Sequence, residues 1–199
     1  MDVLEAASRA PPNERRAAWR AHLERLDPRA QNSFNLVVAD ASGVDVVYAR
    51  RDAATVEIVG VPAGIHVLAN DRLGSPAFPK LARARALLDS NESIAGASWE
   101  ALKAQVARAL ADHAVPALED VKPPPPGARF SREVARALQA ICIHTPSYGT
   151  RSATIAALHP EGVGHYLHAD GPPCQTAFSD RSHLLARGAG GASVLDPPR

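Results

Sequence analysis

Two cysteines, a run of histidines, an asparagine at the end of one apolar stretch and an arginine at the mouth of another are the side chains here with chemistry to offer. Cys142 lies in "AICIHTP", with His144 two residues on. In an extended strand the two would share a face, and an imidazole beside a thiol can activate it. The apolar neighbours favour the plainer reading of a small buried hydrophobe. Cys174, in "GPPCQ", reads as an exposed loop thiol. His159, His165 and His168 sit in "HPEGVGHYLHADG", where a turn would have to fold them together to hold a metal. No Cys or carboxylate cluster accompanies them, so they read as surface histidines of a loop. The sequence therefore points to no metal site and no cofactor.

Asn70 follows an apolar run in "VLANDRLGSPAFPK". An Asn there commonly serves a turn through a hydrogen bond to backbone, and the same carboxamide is a neutral donor able to stabilise an oxyanion. Arg151 opens the apolar run of "YGTRSATIAAL", behind Gly149, which is placed to permit backbone that other residues resist. A guanidinium there either pairs with a carboxylate on a sheet rim or uses its rigid fork to orient a carboxylate or anionic intermediate. Spacing leaves both alternatives open.

The elements that must position these groups follow from periodicity. Trp19, Leu23 and Leu26 form one stripe of an amphipathic helix closed by Pro28. "SFNLVVAD", the turn "ASG" and "VDVVYARR" read as a hairpin, and "ATVEIVG" as a third antiparallel strand. Two helices follow Pro79; the second is capped by Ser98 and repeats Trp99, Leu102, Val106 and Leu110. A Pro-rich connector, Pro123 to Pro126, reads as a loop within one domain. The expectation is one α+β domain over residues 12–186 with a disordered tail at 187–199. A central, largely antiparallel sheet would contain Phe34 to Ala39, Val44 to Tyr48, Val56 to Val59, Ile65 to Leu68, Ala140 to His144 and Ser152 to Leu158, with "TAFSDRS" (Thr176 to Ser182) as a last strand.

Composition narrows the function classes. The 199 residues carry 22 basic and 21 acidic groups, a net charge of +1, which gives no global electrostatic case for nucleic acid or an anionic membrane. No stretch approaches the ~20 apolar residues of a membrane span. Two cysteines do not make a disulfide framework, and the N-terminus lacks an apolar signal region, so a cytoplasmic protein with reduced thiols is expected.

Four stretches together resemble the NRDE family, also called the transport-and-Golgi-organisation family. "SFNLVVADASG" with "VVYARR" is similar to its Phe-Asn-Leu strand and hairpin partner; "AGIHVLANDRLGSPAFPKLARAR" to its Gly-x-x-x-x-Ser-Asn block; "YGTRSATIAAL" to its Tyr-Gly-Thr-Arg block; and "TAFSDRS" to its Phe-x-Glu-Arg strand. Family members begin with Met-Cys and carry Asn-Arg-Asp-Glu soon after, whereas this chain begins Met-Asp and has no such tetrapeptide. Smaller departures are Ala69 for Ser, Phe78 for Trp and Asp180 for Glu. The resemblance thus reads the chain as the C-terminal two-thirds of a family member. A sheet missing its first segment would be marginally stable and prone to self-association through exposed edges.

The family resembles N-terminal-nucleophile (Ntn) hydrolases, which implies an αββα sandwich, incomplete here at its N-terminus. In those enzymes an N-terminal Cys attacks non-peptide amide bonds. By resemblance, Asn70 matches the oxyanion-stabilising Asn and Arg151 a later catalytic-site Arg, both lining one concave surface. With its acidic partner absent, Arg151 would be under-satisfied or turned to solvent. The function so implied is an amidohydrolase-like protein without its Cys nucleophile, inactive as given, facing a small-molecule amide. The alternative is a haem- or lipid-related ligand-binding or trafficking protein using the same cleft.

Overall fold

In a computed structural model, which describes residues 10–11, 14–89, 96–124, 127–159 and 162–185, the N-terminal stripe forms helix α1 (Arg15–Glu24). Trp19 and Leu23 of α1 pack with Val47 into a core completed by Leu26, Leu36, Val38, Val56 and Ile58. Val47 comes from β2 (Gly43–Ala49), the middle strand of an antiparallel sheet between β1 (Phe34–Asp40) and β3 (Glu57–Val61). Its register sets Leu36 and Ile58 on either side of Val47. The hairpin turn is the expected one: the Asp40 carboxylate accepts from the Ser42 amide at 2.8 Å and its hydroxyl at 2.6 Å, and Gly43 takes φ +139°, a region that disfavours side chains.

This sheet carries a charge inside it. Asp45 of β2 is 1% exposed. Arg16 and Arg20, one turn apart on α1, reach its carboxylate at 2.6 and 3.1 Å, and Arg16 also holds Asp40 at 2.8 Å. A buried carboxylate requires such partners, so the polar face of α1 is as specified as its apolar one.

The chain divides into two compact units, one reaching to Gly64 and including Asn70–Arg72, the other holding Ile65–Ala69 and everything from Leu73 on. In the second, Pro79 opens α2 (Pro79–Asp89), where a missing N–H costs nothing. Ser98 caps α3 (Trp99–Leu110) by accepting from the Ala101 amide at 3.3 Å. The buried Gln105 amide of α3 donates to the carbonyls of Leu87 and Leu88 (3.3 and 2.7 Å) at the end of α2. Arg83 of α2 forks onto Asp112 at 2.8 and 3.2 Å, holding that carboxyl below the usual carboxylate range. A short helix, α4 (Arg132–Ala137), follows the Pro-rich connector. Strands β4 (Ala153–His159), β5 (Gly162–Ala169) and β6 (Ser179–Asp180) form a second antiparallel sheet, with Trp99 stacked on His165 of β5 at 4.4 Å.

The α+β class and antiparallel pairing are those expected. Several finer expectations are corrected. Among the described residues the strands fall in two three-stranded sheets, not one. Ile65 to Leu68 is not a strand. Ala140 to His144 is irregular apart from one bridge, His144 to Gly149, because its backbone bonds go elsewhere: the Cys142 amide to the Asp112 carbonyl and the Ile143 amide to the Thr150 hydroxyl, both at 2.9 Å. His165 and His168 stand in β5 rather than a loop, and of Thr176 to Ser182 only Ser179–Asp180 pairs. Helix α4 was not expected. The tail at 187–199 and the ends of the 12–186 span lie outside the described residues. Among the described residues no helix is long and apolar enough to cross a membrane.

Gly149 has a different reason from the one expected. Its φ is not in the left-handed region; a Cβ there would instead lie 2.9 Å from the Ile143 carbonyl oxygen.

Three outcomes follow. The double variant Arg16→Ala/Arg20→Ala strands the Asp45 carboxylate and is expected to cost about 3 kcal/mol in urea unfolding, whereas Asp45→Asn, which leaves two part-exposed guanidiniums able to rehydrate, costs about 1 kcal/mol. Gly149→Ala pushes against backbone that cannot swing aside and is expected to cost about 1–3 kcal/mol by the same measurement. Asp112 titrates below its unfolded value, so its link to Arg83 stabilises the fold above the ordinary carboxylate range and is lost as pH falls through the depressed value. Asp112→Asn should flatten that part of the acid-unfolding curve.

Candidate functional site

Asn70 is exposed and sits in a bend with Asp71 and Arg72, all three belonging to the first unit. The bend is pinned through its neighbours. The Asn35 carboxamide donates to the Asp71 carbonyl at 2.9 Å, and Arg72 forks onto Glu57 of β3 at 2.7 and 2.6 Å. That fork, the largest influence on Glu57, holds its carboxyl below its usual value. The guanidiniums of Arg50 and Arg72 both lie over the Tyr48 ring, at 5.4 and 5.3 Å.

Arg151 belongs to the second unit, just ahead of β4, and is exposed without an ion pair among the described residues. The turn before it is tightly tied. The Thr150 amide donates to the Ile143 carbonyl, the Thr150 hydroxyl accepts from the Ile143 amide, and Thr145 exchanges bonds with Tyr148. The Tyr-Gly-Thr-Arg block thus fixes the backbone on which Arg151 is carried out into solvent.

Beside the same turn the pair Cys142 and His144 meets two residues that sequence reasoning did not connect with it. His113, Cys142, His144 and Cys174 place one potential ligand atom each within 4.8 Å of all the others. The two sulfurs are 3.6 Å apart, and His144 Nε2 lies 3.6 Å from Cys142 Sγ and 3.1 Å from Cys174 Sγ. His113 Nδ1 is 3.1 Å from the Cys142 carbonyl, and its ring is 5.0 Å from that of His144. Cys142 is buried, Cys174 partly so, and both histidines are exposed. Neither thiol is in a disulfide. Burial, with Cys174 beside it, pushes the Cys142 thiol above its ordinary value.

Three segments meet here for separate reasons. Asp112, gripped by Arg83, caps the Ala114 amide at 3.1 Å and takes the Cys142 amide on its carbonyl, so His113 is held between two fixed neighbours. Gly149 and Thr150 hold Ile143 between Cys142 and His144. Cys174 rides a turn in which the Pro172 carbonyl accepts from the amides of Gln175 and Thr176. Cys174 is therefore no isolated loop thiol, and Cys142 is more than a small hydrophobe. The signal that could have pointed here was the pair Cys142 and His144; the other two lie 29 positions before and 30 after them. Of the three histidines read as a loop surface, His165 stacks on Trp99 and His168 bonds the Thr154 hydroxyl at 3.0 Å.

A third feature is an open cleft of about 570 Å³ in the second unit, lined by Ile65, Val67, Leu73, Pro76, Phe78 and Leu81, with His66, Ser75 and Arg85 as polar groups. Its two loop segments are tied by the Gly74 amide donating to the Val67 carbonyl at 3.2 Å, and Gly74 takes φ +67°, which suits glycine.

Comparison with curated proteins gives no match. A family model described as Transport and Golgi organisation 2 matches residues 9–169, a span holding all but the last strand, the Tyr-Gly-Thr-Arg turn and every residue lining the cleft. The chain belongs to the Transport and Golgi organisation 2 family.

Proposed function

We propose that this family member binds a small amphipathic molecule, with an apolar body and an anionic or amide-bearing end, in an amidohydrolase-like frame that does not turn the ligand over. The observation that carries this reading is the cleft: its volume of about 570 Å³ lies in the range of small-molecule sites, and its lining is mostly apolar with a few polar groups. A haem-like or lipid-like molecule fits that description better than a peptide or a nucleic acid. Binding without hydrolysis is supported by the lining itself, which among the described residues holds no cysteine. The family resemblance gives Asn70 the role of a neutral donor and Arg151 that of an anion-orienting fork; neither is among the residues lining the cleft, and Arg151 is tested separately. Arg151, exposed and without an ion pair among the described residues, can offer its donors to an anion.

The test titrates the protein with haemin, followed by absorbance, and with a fluorescent fatty acid, followed by emission. One probe is expected to bind saturably at one site. Ala82→Trp, at an exposed cleft position on α2, should weaken that binding at least tenfold, about 1.4 kcal/mol, while the unfolding midpoint stays within experimental error. Arg151→Ala should weaken a carboxylate-bearing probe more than its methyl ester. Absence of saturable binding, or an Ala82→Trp protein that binds as well as the parent, overturns the reading. Hydrolysis of a penicillin or bile-salt amide above background would restore catalysis in its place.

A further inference from the structure

The Cys142, Cys174, His113 and His144 cluster lies outside the cleft lining and is not used by the ligand-binding reading. From its geometry we propose that these four side chains form a four-coordinate site for Zn²⁺, structural rather than catalytic.

The argument rests on distances and donor chemistry. Tetrahedral zinc, with Zn–S near 2.3 Å and Zn–N near 2.0 Å, sets sulfurs about 3.8 Å apart and sulfur and nitrogen about 3.5 Å apart. The cluster has 3.6 Å between sulfurs and 3.6 and 3.1 Å from His144 Nε2 to each sulfur. A cation at the centre therefore needs shifts of a few tenths of an ångström there, not a rearrangement. A disulfide needs a larger one, since its sulfurs must close to about 2.05 Å. The donor set of two thiolates and two imidazoles is that of borderline-soft zinc, and it excludes calcium and magnesium, which take oxygen.

The surrounding bonds agree with this. His113 turns Nδ1 to the Cys142 carbonyl, the outer partner that a metal-bound imidazole typically has, and this leaves Nε2 as the ligand. The Cys142 amide is held by the Asp112 carbonyl, so the segments supplying His113 and Cys142 are joined before any ion arrives. The exposed histidines give a path of entry, while Cys142 is buried. Binding balances simply: two S–H bonds break, two Zn–S bonds form, two protons leave to solvent, and the two thiolates neutralise the dication. With four protein ligands no position is left open for a substrate, so the ion would act as a cross-link between chain segments that are distant in sequence.

The experiment uses the full chain, reduced and freed of metal with a chelator. Titration with Co²⁺ is expected to give the ligand-field bands of tetrahedral cobalt with thiolate charge transfer, saturating at one equivalent and bleached by one equivalent of Zn²⁺. Thermal unfolding should move to higher temperature with added Zn²⁺ and return on chelation. Cys174→Ser and His144→Ala, changed at part-exposed and exposed positions, should each weaken zinc binding at least a hundredfold while far-ultraviolet dichroism is unchanged. Cys142→Ser is read only if that spectrum is native. Cobalt spectra without thiolate charge transfer, zinc affinity unaltered in both folded variants, or a Cys142–Cys174 disulfide forming in mild oxidant with no metal bound by the reduced protein would each overturn the proposal. Because no organic ligand is present, failure here leaves the ligand-binding reading untouched, and the converse holds.

Discussion

One carbonyl oxygen, that of Ile143, organises most of what is unusual in the second unit. It accepts from the Thr150 amide and leaves no room for a side chain at position 149. The chain can therefore double back between Cys142 and Arg151 within a few residues. On one arm of that fold-back stand a thiol and an imidazole; at the end of the other stands an exposed guanidinium. The Thr150 hydroxyl, accepting from the Ile143 amide, closes the same contact from the other direction. A hydrogen-bonded backbone turn is rigid at little cost in side-chain entropy, which suits a place where several functional groups must keep their spacing.

The two units are stabilised by different physics. In the first, an apolar stripe of α1 covers β2 while two arginines of the same helix satisfy a carboxylate buried in that strand. Apolar burial sets the energy and the ion triad sets the rotation of helix on sheet, since only one azimuth delivers both Arg16 and Arg20 to Asp45. In the second, many links are side chain to carbonyl: Gln105 to Leu87 and Leu88, Lys80 to Leu138, Arg136 to Pro116 and Arg132 to Val121. Loops rich in proline have few backbone partners of their own, and long polar side chains from the helices fill that need.

The sequence made the first unit easy to read. Trp19, Leu23 and Leu26 repeat at helical spacing, and an Asp-Ala-Ser-Gly turn between β-branched runs leaves little choice but a hairpin. The family was legible from Tyr-Gly-Thr-Arg and the Asn70 block. What misled was composition: Ile65 to Leu68 and Ala140 to His144 are as apolar and β-branched as true strands, but the Val67 carbonyl and the Cys142 and Ile143 amides find loop partners, which no local pattern records. The histidines after His159 drew attention because they are close in sequence, yet alternation along β5 and the Trp99 ring disperse them. The four clustered Cys and His residues come from three segments whose meeting depends on Arg83 gripping Asp112 and on the Gly149 contact. Neither is visible without the fold.

The path of the backbone through residues 64–73 bears on how the protein can be dissected. The chain passes between units at Gly64, returns at Asn70 and leaves again after Arg72. Neither unit is therefore a contiguous stretch of sequence. A fragment ended at Gly64 would lose the carbonyl that Asn35 holds and the fork that Arg72 places on Glu57. A fragment begun at Leu73 would lose the Val67 side of the cleft. Gene fragments cut at one point will misrepresent both halves, while a circular permutant opened at an exposed loop elsewhere keeps this interleaved passage whole.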